Sequence, residues 1–277
     1  IAYPEYASQS FVWEVGGSKA TINYETGEID FLEEGDVYVL CRSALDETVF
    51  RTIKLKSVHK EDIEVIKVLF IGNSLTYRND IPKMVKDMGR VAGKVVYTDL
   101  FSPGGNTLEI NYDKYKSSLV KYTYVILQEA SAHNFTNFQS FMEYAEKFSE
   151  LVKSYGAIEV LLYQTWAYRE GCVSLQNLRL TREKMQELII NAYNEVSDAI
   201  GTDINRVGEV FYNFSLDYPE IELYVDDNHS NLAGSYLSSC VHFQSIFKES
   251  VKGNKYNPGL DQETVDLIQE YVANFFE

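Results

Sequence analysis

The stretch IEVIKVLFIGNSLT, residues 63–76, decides the fold. Its first ten residues are almost continuously apolar and end on Gly72. A strand with one wet face would alternate polar and apolar residues, whereas an unbroken run suits a strand buried on both faces of a parallel sheet. Just beyond it, DIPKMVKDMGRVAG (80–93) has helical spacing and closes on Gly93. KVVYTDLF (94–101) reads as a second strand, YTYVILQ (122–128) as a third and IEVLLYQT (158–165) as a fourth. Between the last two, Phe138, Phe141, Met142, Ala145, Phe148, Leu151, Val152 and Tyr155 recur at the period of a helix with one buried face. A long helix over about 175–200, a short strand near Asn205–Val210 and two helices near 231–248 and 261–275 complete the pattern. Repeated strand–helix units imply a parallel sheet covered on both faces. Such sheets place their sites at the carboxyl ends of the strands.

Upstream of this pattern the chain reads differently. FVWEV (11–15), KATIN (19–23), EIDFL (28–32), VYVLCR (37–42) and FRTIKLKSV (50–58) have strand character, separated by Gly16-Gly17, Thr26-Gly27 and Glu34-Gly35. Ile53 and Leu55 alternate with Lys54 and Lys56, the period of a half-buried antiparallel strand. The expected organisation is a small all-β segment over 1–62 and an α/β domain over 63–277. The β segment resembles the C-terminal part of a bacterial immunoglobulin-like repeat over roughly residues 4–58. The other reading is a β extension packed on the main domain.

Composition narrows the function. Across 277 residues, 41 acidic side chains oppose 25 basic ones, for a net charge of −16. So acidic a surface repels phosphate backbones and anionic lipid, which argues against nucleic acid or a membrane surface as partner. No apolar run approaches the ~20 residues of a membrane span. Cys41, Cys172 and Cys240 are odd in number and far apart, so no disulfide framework or CxxC knuckle is expected. No cluster has metal-ligand spacing and no phosphate-binding glycine loop follows a strand, so neither metal nor cofactor is expected. A chain beginning at Ile1 without Met is expected to be a trimmed product.

The chemistry-bearing residues fall at the strand ends. GNSLT (72–76) sets Ser74 between a buried strand and a helix, although Thr76 stands where the α/β-hydrolase elbow has its second glycine. SPGGNTL (102–108) follows the second strand and LQEAS (127–131) the third. In YVDDNHSNLAGSYL (224–237), Asp226 lies three residues before His229, a spacing that lets a carboxylate orient the imidazole; Asp227 competes for that position. Trp166 and Tyr168 follow the fourth strand and either line a cleft or cover the core. His133 sits near the same rim, and His59 and His242 read as structural. Cys172 has no histidine near it in sequence, which argues against a catalytic thiol.

Together these blocks resemble the SGNH hydrolases, also called the GDSL esterase/lipase family. GNSL stands for GDSL, the glycine of GGNT for the second block, and D-x-x-H for the last. The similarity covers about residues 66–248, and VLFIGNSLTYRNDIP, VILQEAS, YQTWA and DNHSNLAGSYL resemble a bacterial branch whose members are often secreted. The resemblance implies a flavodoxin-like three-layer α/β/α domain with a five-stranded parallel sheet. It also implies Ser74 as nucleophile, His229 as base and Asp226 as orienting carboxylate, with an oxyanion hole from the Ser74 and Gly105 N–H groups. Two blocks depart from the pattern. Asn73 replaces the usual Asp, and is expected near the substrate together with Trp166 and Tyr168. The G-x-N-D block is absent, and Gln128 is the expected substitute donor, with Ser131 and Asn134 as rivals. The expectation is a secreted or cell-surface serine esterase acting on a small-molecule or polysaccharide ester, with acetylated carbohydrate foremost. Longer-chain lipase or thioesterase activity and a non-catalytic carbohydrate-binding or adhesion role are the alternatives. The oligomeric state is not legible.

Overall fold

The computed structural model describes residues 10–58, 64–157 and 159–276. Expectations that touch residues 1–9, 59–63 (His59 included), 158 or 277 lie outside the described residues. The chain divides into two compact units between Glu64 and Val65.

In the first unit, strands β1 (Phe11–Gly16), β4 (Gly35–Ser43) and β5 (Phe50–Ser57) form an antiparallel sheet in the order β1-β4-β5. β2 (Ala20–Ile22) and β3 (Ile29–Phe31) pair as a separate hairpin. Val37 pairs with Leu55 and Val39 with Ile53 across the sheet, so the alternation in 50–58 puts its apolar side on the same face as the two valines. Gly27, left-handed at φ 79°, lies under the Trp13 ring, where a Cβ would sit 2.9 Å from the indole.

The second unit is a five-stranded, all-parallel sheet. Its strands are β6 (Val65–Ile71), β7 (Val95–Phe101), β8 (Tyr124–Leu127), β9 (Glu159–Tyr163) and β10 (Asp203–Asn205). Their spatial order is β7-β6-β8-β9-β10, the 2-1-3-4-5 order of flavodoxin-like folds. Val68, Phe70, Ile126 and Leu161 face one apolar cluster, while Leu69, Ile71, Val125 and Leu162 face another. That two-sided burial is why residues 63–72 lack alternation. Helices α2 (Ile81–Val91), α8 (Val207–Asp217), α9 (Leu232–Phe247) and α10 (Gln262–Phe275) pack on the first face. α3 (Leu108–Tyr115), the single turn α4 (His133–Thr136), α5 (Phe138–Ser154) and α7 (Arg182–Ile200) pack on the second.

Three expected elements end elsewhere. Only Asp203–Asn205 of the fifth strand is extended, because α8 begins at Val207. At Gly208 a Cβ would collide with the Thr165 carbonyl, so this helix start runs tight against the end of β9. The helix expected over 175–200 is two, α6 (Val173–Leu178) and α7, divided where Arg179 turns left-handed and Thr181 caps the next helix. Tyr155 is 45% exposed beyond the end of α5 and leaves its buried stripe. His242 is structural as expected. It is buried between Phe70 and Tyr163, accepts from Asn205 Nδ2 at 2.7 Å, and burial pushes its pKa down to about 3.

Candidate active site

Ser74 opens α1 (Ser74–Tyr77), a single turn that starts where β6 ends. Asn73 caps this turn. Its Oδ1 accepts from the Leu75 N–H at 3.1 Å and its Nδ2 donates to Asn106 O at 3.0 Å. Beneath it lies Gln128, whose Oε1 accepts from the Asn73 N–H at 3.0 Å and from Thr76 Oγ1 at 2.9 Å. Gln128 Nε2 donates to Glu129 O. A Cβ at residue 72 would meet Gln128 Oε1 and Thr76 Oγ1, so only glycine lets the glutamine reach the turn.

The base comes from the loop before α9. A Tyr224–Ser230 bridge closes that loop, and the Val225 N–H donates to His229 O at 2.9 Å. Asp226 Oδ1 accepts from the Asn228 and His229 N–H groups at 3.0 and 2.8 Å, and His229 Nδ1 lies 2.8 Å from Asp226 Oδ2. A carboxylate only accepts, so Nδ1 carries the ring proton and Nε2 is left as an acceptor. That Nε2 is 2.8 Å from Ser74 Oγ. Partial desolvation would raise the Asp226 carboxyl. The hydrogen bonds from His229 and Asn228 outweigh it and hold the pKa below the ordinary 3.8. Asp227 turns the other way, its Oδ2 accepting from Ser174 Oγ at 2.9 Å and its carbonyl from the Arg169 N–H at 2.7 Å. Asp226, not Asp227, is therefore the carboxylate beside His229.

Gly105 lies in an exposed loop at φ 72°. Asn106 Nδ2 donates to Asn111 Oδ1 at 2.9 Å, and Asn111 Nδ2 donates to Gly72 O at 2.8 Å. With Asn73 these residues tie the Gly105 loop to the Ser74 turn. Glu129, fully buried, accepts from the Leu108 N–H at the start of α3 at 3.3 Å and fixes the loop's far end. Among the described residues, neither the Ser74 N–H nor the Gly105 N–H donates to a protein acceptor.

Several expected roles are corrected. Gln128 has no exposed surface, its Oε1 is held by the Ser74 turn and its Nε2 donates to Glu129 O, so it supports that turn from below and does not reach the open surface where an oxyanion would sit. Asn134 is likewise fully buried, with Nδ2 on Ser131 O. Ser131 is the remaining side-chain rival, half-buried with its Oγ 2.9 Å from Tyr168 OH. Each hydroxyl carries one hydrogen and only one lies between them, so the pair keeps one O–H to donate. Asn73 is 3% exposed and does not face substrate. Nor does Trp166, at 1% exposed: it stacks on Phe211 and donates from Nε1 to Asn228 O at 2.9 Å, which steadies the His229 loop. Tyr168 stays on the rim, half-buried. Asn106, Asn111 and Glu129 escaped the sequence reading. Asn106 and Glu129 lie inside quoted blocks without being singled out there, and nothing in the residue pattern marks Asn111 as a partner for a carbonyl 39 positions away.

Among the described residues no group of three or more His, Cys, Asp or Glu side chains is placed to hold a metal ion, and no helix is long and apolar enough to cross a membrane. A cavity of about 540 Å³ opens along β10, between Arg206, Lys248 and Phe275, and includes none of Ser74, Asp226 and His229.

The α/β unit shares its fold with solved structures of SGNH and GDSL-type hydrolases, and it brings Ser74, His229 and Asp226 within hydrogen-bond reach of one another. The chain is similar to a putative SGNH hydrolase from Slackia heliotrinireducens, with 26% identity, a TM-score of 0.57, and 65% of this chain and 98% of that one covered. It also shares its fold with a DUF4886 family protein from Bacteroides uniformis (20% identity, TM-score 0.65, covering 77% and 95%). A lipase/acylhydrolase from Enterococcus faecalis is similar at 16% identity, with a TM-score of 0.51 and coverage of 65% and 95%. Neither a protein-family model nor a curated protein sequence matches the chain.

Proposed function

We propose that the α/β unit is a serine esterase. The observation that carries this reading is the relay of two 2.8 Å contacts, from Ser74 Oγ to His229 Nε2 and from His229 Nδ1 to Asp226 Oδ2. Ser74 Oγ forms a bond to the ester carbonyl carbon while its proton passes to His229 Nε2. The electron pair of the carbonyl moves onto oxygen, where the Ser74 and Gly105 N–H groups and the Ser131–Tyr168 hydroxyl pair donate to it. The bond to the alcohol oxygen breaks and His229 returns the proton to that oxygen. Water then attacks the acyl-enzyme by the same steps and frees the acid.

The substrate is read as an O-acetyl ester on carbohydrate, outside the cell, from the resemblance to secreted members of the family. Hydrolysis of a panel of esters varied in acyl length and alcohol, together with fluorophosphonate labelling, tests the reading. Ser74→Ala is expected to lose the label and turnover by roughly 1,000-fold or more with the fold intact. Activity of more than a few per cent in that variant would place the nucleophile elsewhere. Absence of any adduct in the native protein would favour a binding role, and a preference for long acyl chains would favour a lipase or thioesterase.

A further inference from the structure

Between α1 and α2 the chain bends at Arg78–Asp80, and two consecutive residues with side chains are left-handed there, Asn79 at φ 52° and Asp80 at φ 55°. The other such residues among those described, Arg179 and Lys248, cap helix ends, where this conformation is routine. A left-handed pair inside a connection is disfavoured and persists only where its surroundings impose it.

The contacts made by the three side chains say what imposes it. Asn79 Nδ2 donates to Ser235 Oγ at 2.9 Å and to Ser230 O at 3.3 Å. Ser230 directly follows His229, and Ser230 and Ser235 are buried with their hydroxyls 2.7 Å apart. Arg78 places Nη2 3.9 Å from Asp226 Oδ2. Asp80 accepts from the Lys83 N–H at 3.2 Å and starts α2. Two adjacent side chains after the Ser74 helix thus reach the loop that carries Asp226 and His229, and the third anchors the bend to α2.

We infer that this bend is a clamp that sets the spacing between Ser74 and His229, with Asn79 as its positioning residue. This rests on the esterase reading above. The clamp acts on the Ser74–His229 proton transfer, where a misplacement of about 1 Å costs on the order of 100-fold in rate. A hydrogen bond from the nucleophile's own connection to the residue after the base couples the two parts of the relay directly. Trp166, by contrast, reaches the His229 loop from the end of β9 and gives its one N–H to Asn228 O.

The test compares Asn79→Gly, Asn79→Asp and Ser235→Ala in the full chain. Glycine accepts φ 52° without a Cβ clash, so Asn79→Gly keeps the backbone and loses only the amide. The expected result is a Tm within about 3 °C of the parent, a kcat on an activated aryl acetate lower by about 10- to 100-fold, and a KM within about twofold. Asn79→Asp keeps a residue tolerant of the left-handed region but sets an acceptor against Ser230 O, and should lose at least as much. Ser235→Ala leaves the bond to Ser230 O and should lose less than either. A kcat for Asn79→Gly within about threefold of the parent would overturn the clamp. So would a Tm that collapses along with kcat in both Asn79→Gly and Ser235→Ala, since the residue would then hold the fold and not the spacing. Amide exchange supplies a readout that needs no activity: in Asn79→Gly the Val225 and Asn231 N–H groups should exchange at least about tenfold faster. Unchanged exchange there rejects the clamp. Failure of the native protein to hydrolyse any ester rejects the esterase reading and leaves exchange to decide the clamp.

Discussion

Among the described residues of the β unit only Ala20, Val37 and Val39 form a buried cluster, while Tyr24, Leu32, Leu45, Val49 and Phe50 are each at least 60% exposed. In the α/β unit both faces of the sheet are covered by clusters of fully buried side chains. Its buried polar residues at the strand ends, among them Asn73, Thr76, Asn111, Gln128 and Glu129, each find a hydrogen-bond partner. The difference teaches where a reactive arrangement can be built. Three side chains hold a 2.8 Å relay only if the walls around them cannot relax, which needs dense packing and satisfied polar groups beneath. Among its described residues the β unit has only a small buried cluster, and every residue of the candidate site comes from the other unit.

The sharpest attempt to break that contrast is within the relay itself. Asp226→Asn should lower kcat by about 1,000- to 10,000-fold, because the amide can stabilise the wrong tautomer of His229. Asp227→Asn, which touches Ser174, should stay within about threefold. Steady-state kinetics of the pair decides the matter: a larger loss at 227 would show that the carboxylate seen beside His229 is not the one that works.

How much of this could be read from residues alone follows from which forces act locally. The strands of the α/β unit were legible because burial on both faces leaves a continuous apolar run, and Ser74, Asp226 and His229 because each sits in a short block at a strand or helix boundary. The fate of Gln128 was not legible. Its position at the end of β8 is visible in the sequence, but the direction of its amide is set by Gly72, which has no Cβ to keep it away from the Ser74 turn. Trp166 failed for a related reason, since an aromatic residue after a strand reads alike whether it lines a cleft or stacks on Phe211. The Asn73–Asn106–Asn111 linkage joins the turn after β6, the loop after β7 and helix α3, and no local pattern encodes it.

Acid should weaken the dense unit through His242. With a folded pKa of about 3 against an ordinary 6.5, the folded state refuses a proton that the unfolded chain takes up. Between those values the unfolded chain binds more protons, so stability rises with pH, and it is lost as pH falls from 6.5 towards 3. At pH 4 the loss from this one group is about 3 kcal/mol. Urea titrations at pH 7 and pH 4 should show the difference shrink by roughly that amount in His242→Leu, whatever the variant costs at pH 7. An unchanged difference would mean that the histidine takes up its proton in place.

Gln128→Ala separates support from catalysis. It leaves the Asn73 N–H and the Thr76 hydroxyl buried without their acceptor, at about 1–3 kcal/mol of stability. A donor to the oxyanion would behave differently, lowering kcat with stability intact. Loss of stability by denaturant titration, with the rate falling alongside it, is therefore expected. A rate loss at unchanged stability would return Gln128 to the oxyanion hole.

The smallest effect is expected from the largest change, removal of residues 1–64. Each residue of the relay, and each partner named for it, lies within Val65–Glu277, whose sheet and clusters close on themselves. A fragment of that size buries enough surface to fold alone. It should unfold cooperatively near the Tm of the full chain and turn over an activated aryl acetate within about twofold of it. The reciprocal fragment, whose described residues bury only Ala20, Val37 and Val39 as an apolar cluster, should show no cooperative transition by calorimetry. Either result reversed breaks the contrast between the units. An α/β fragment that aggregates would show that the β unit covers apolar surface on its neighbour, and one that folds but loses kcat would show that the β unit reaches the site. A β fragment that melts cooperatively would show that this unit closes a core of its own, and the exposed Phe50 and Tyr24 would then need an explanation other than a marginal fold.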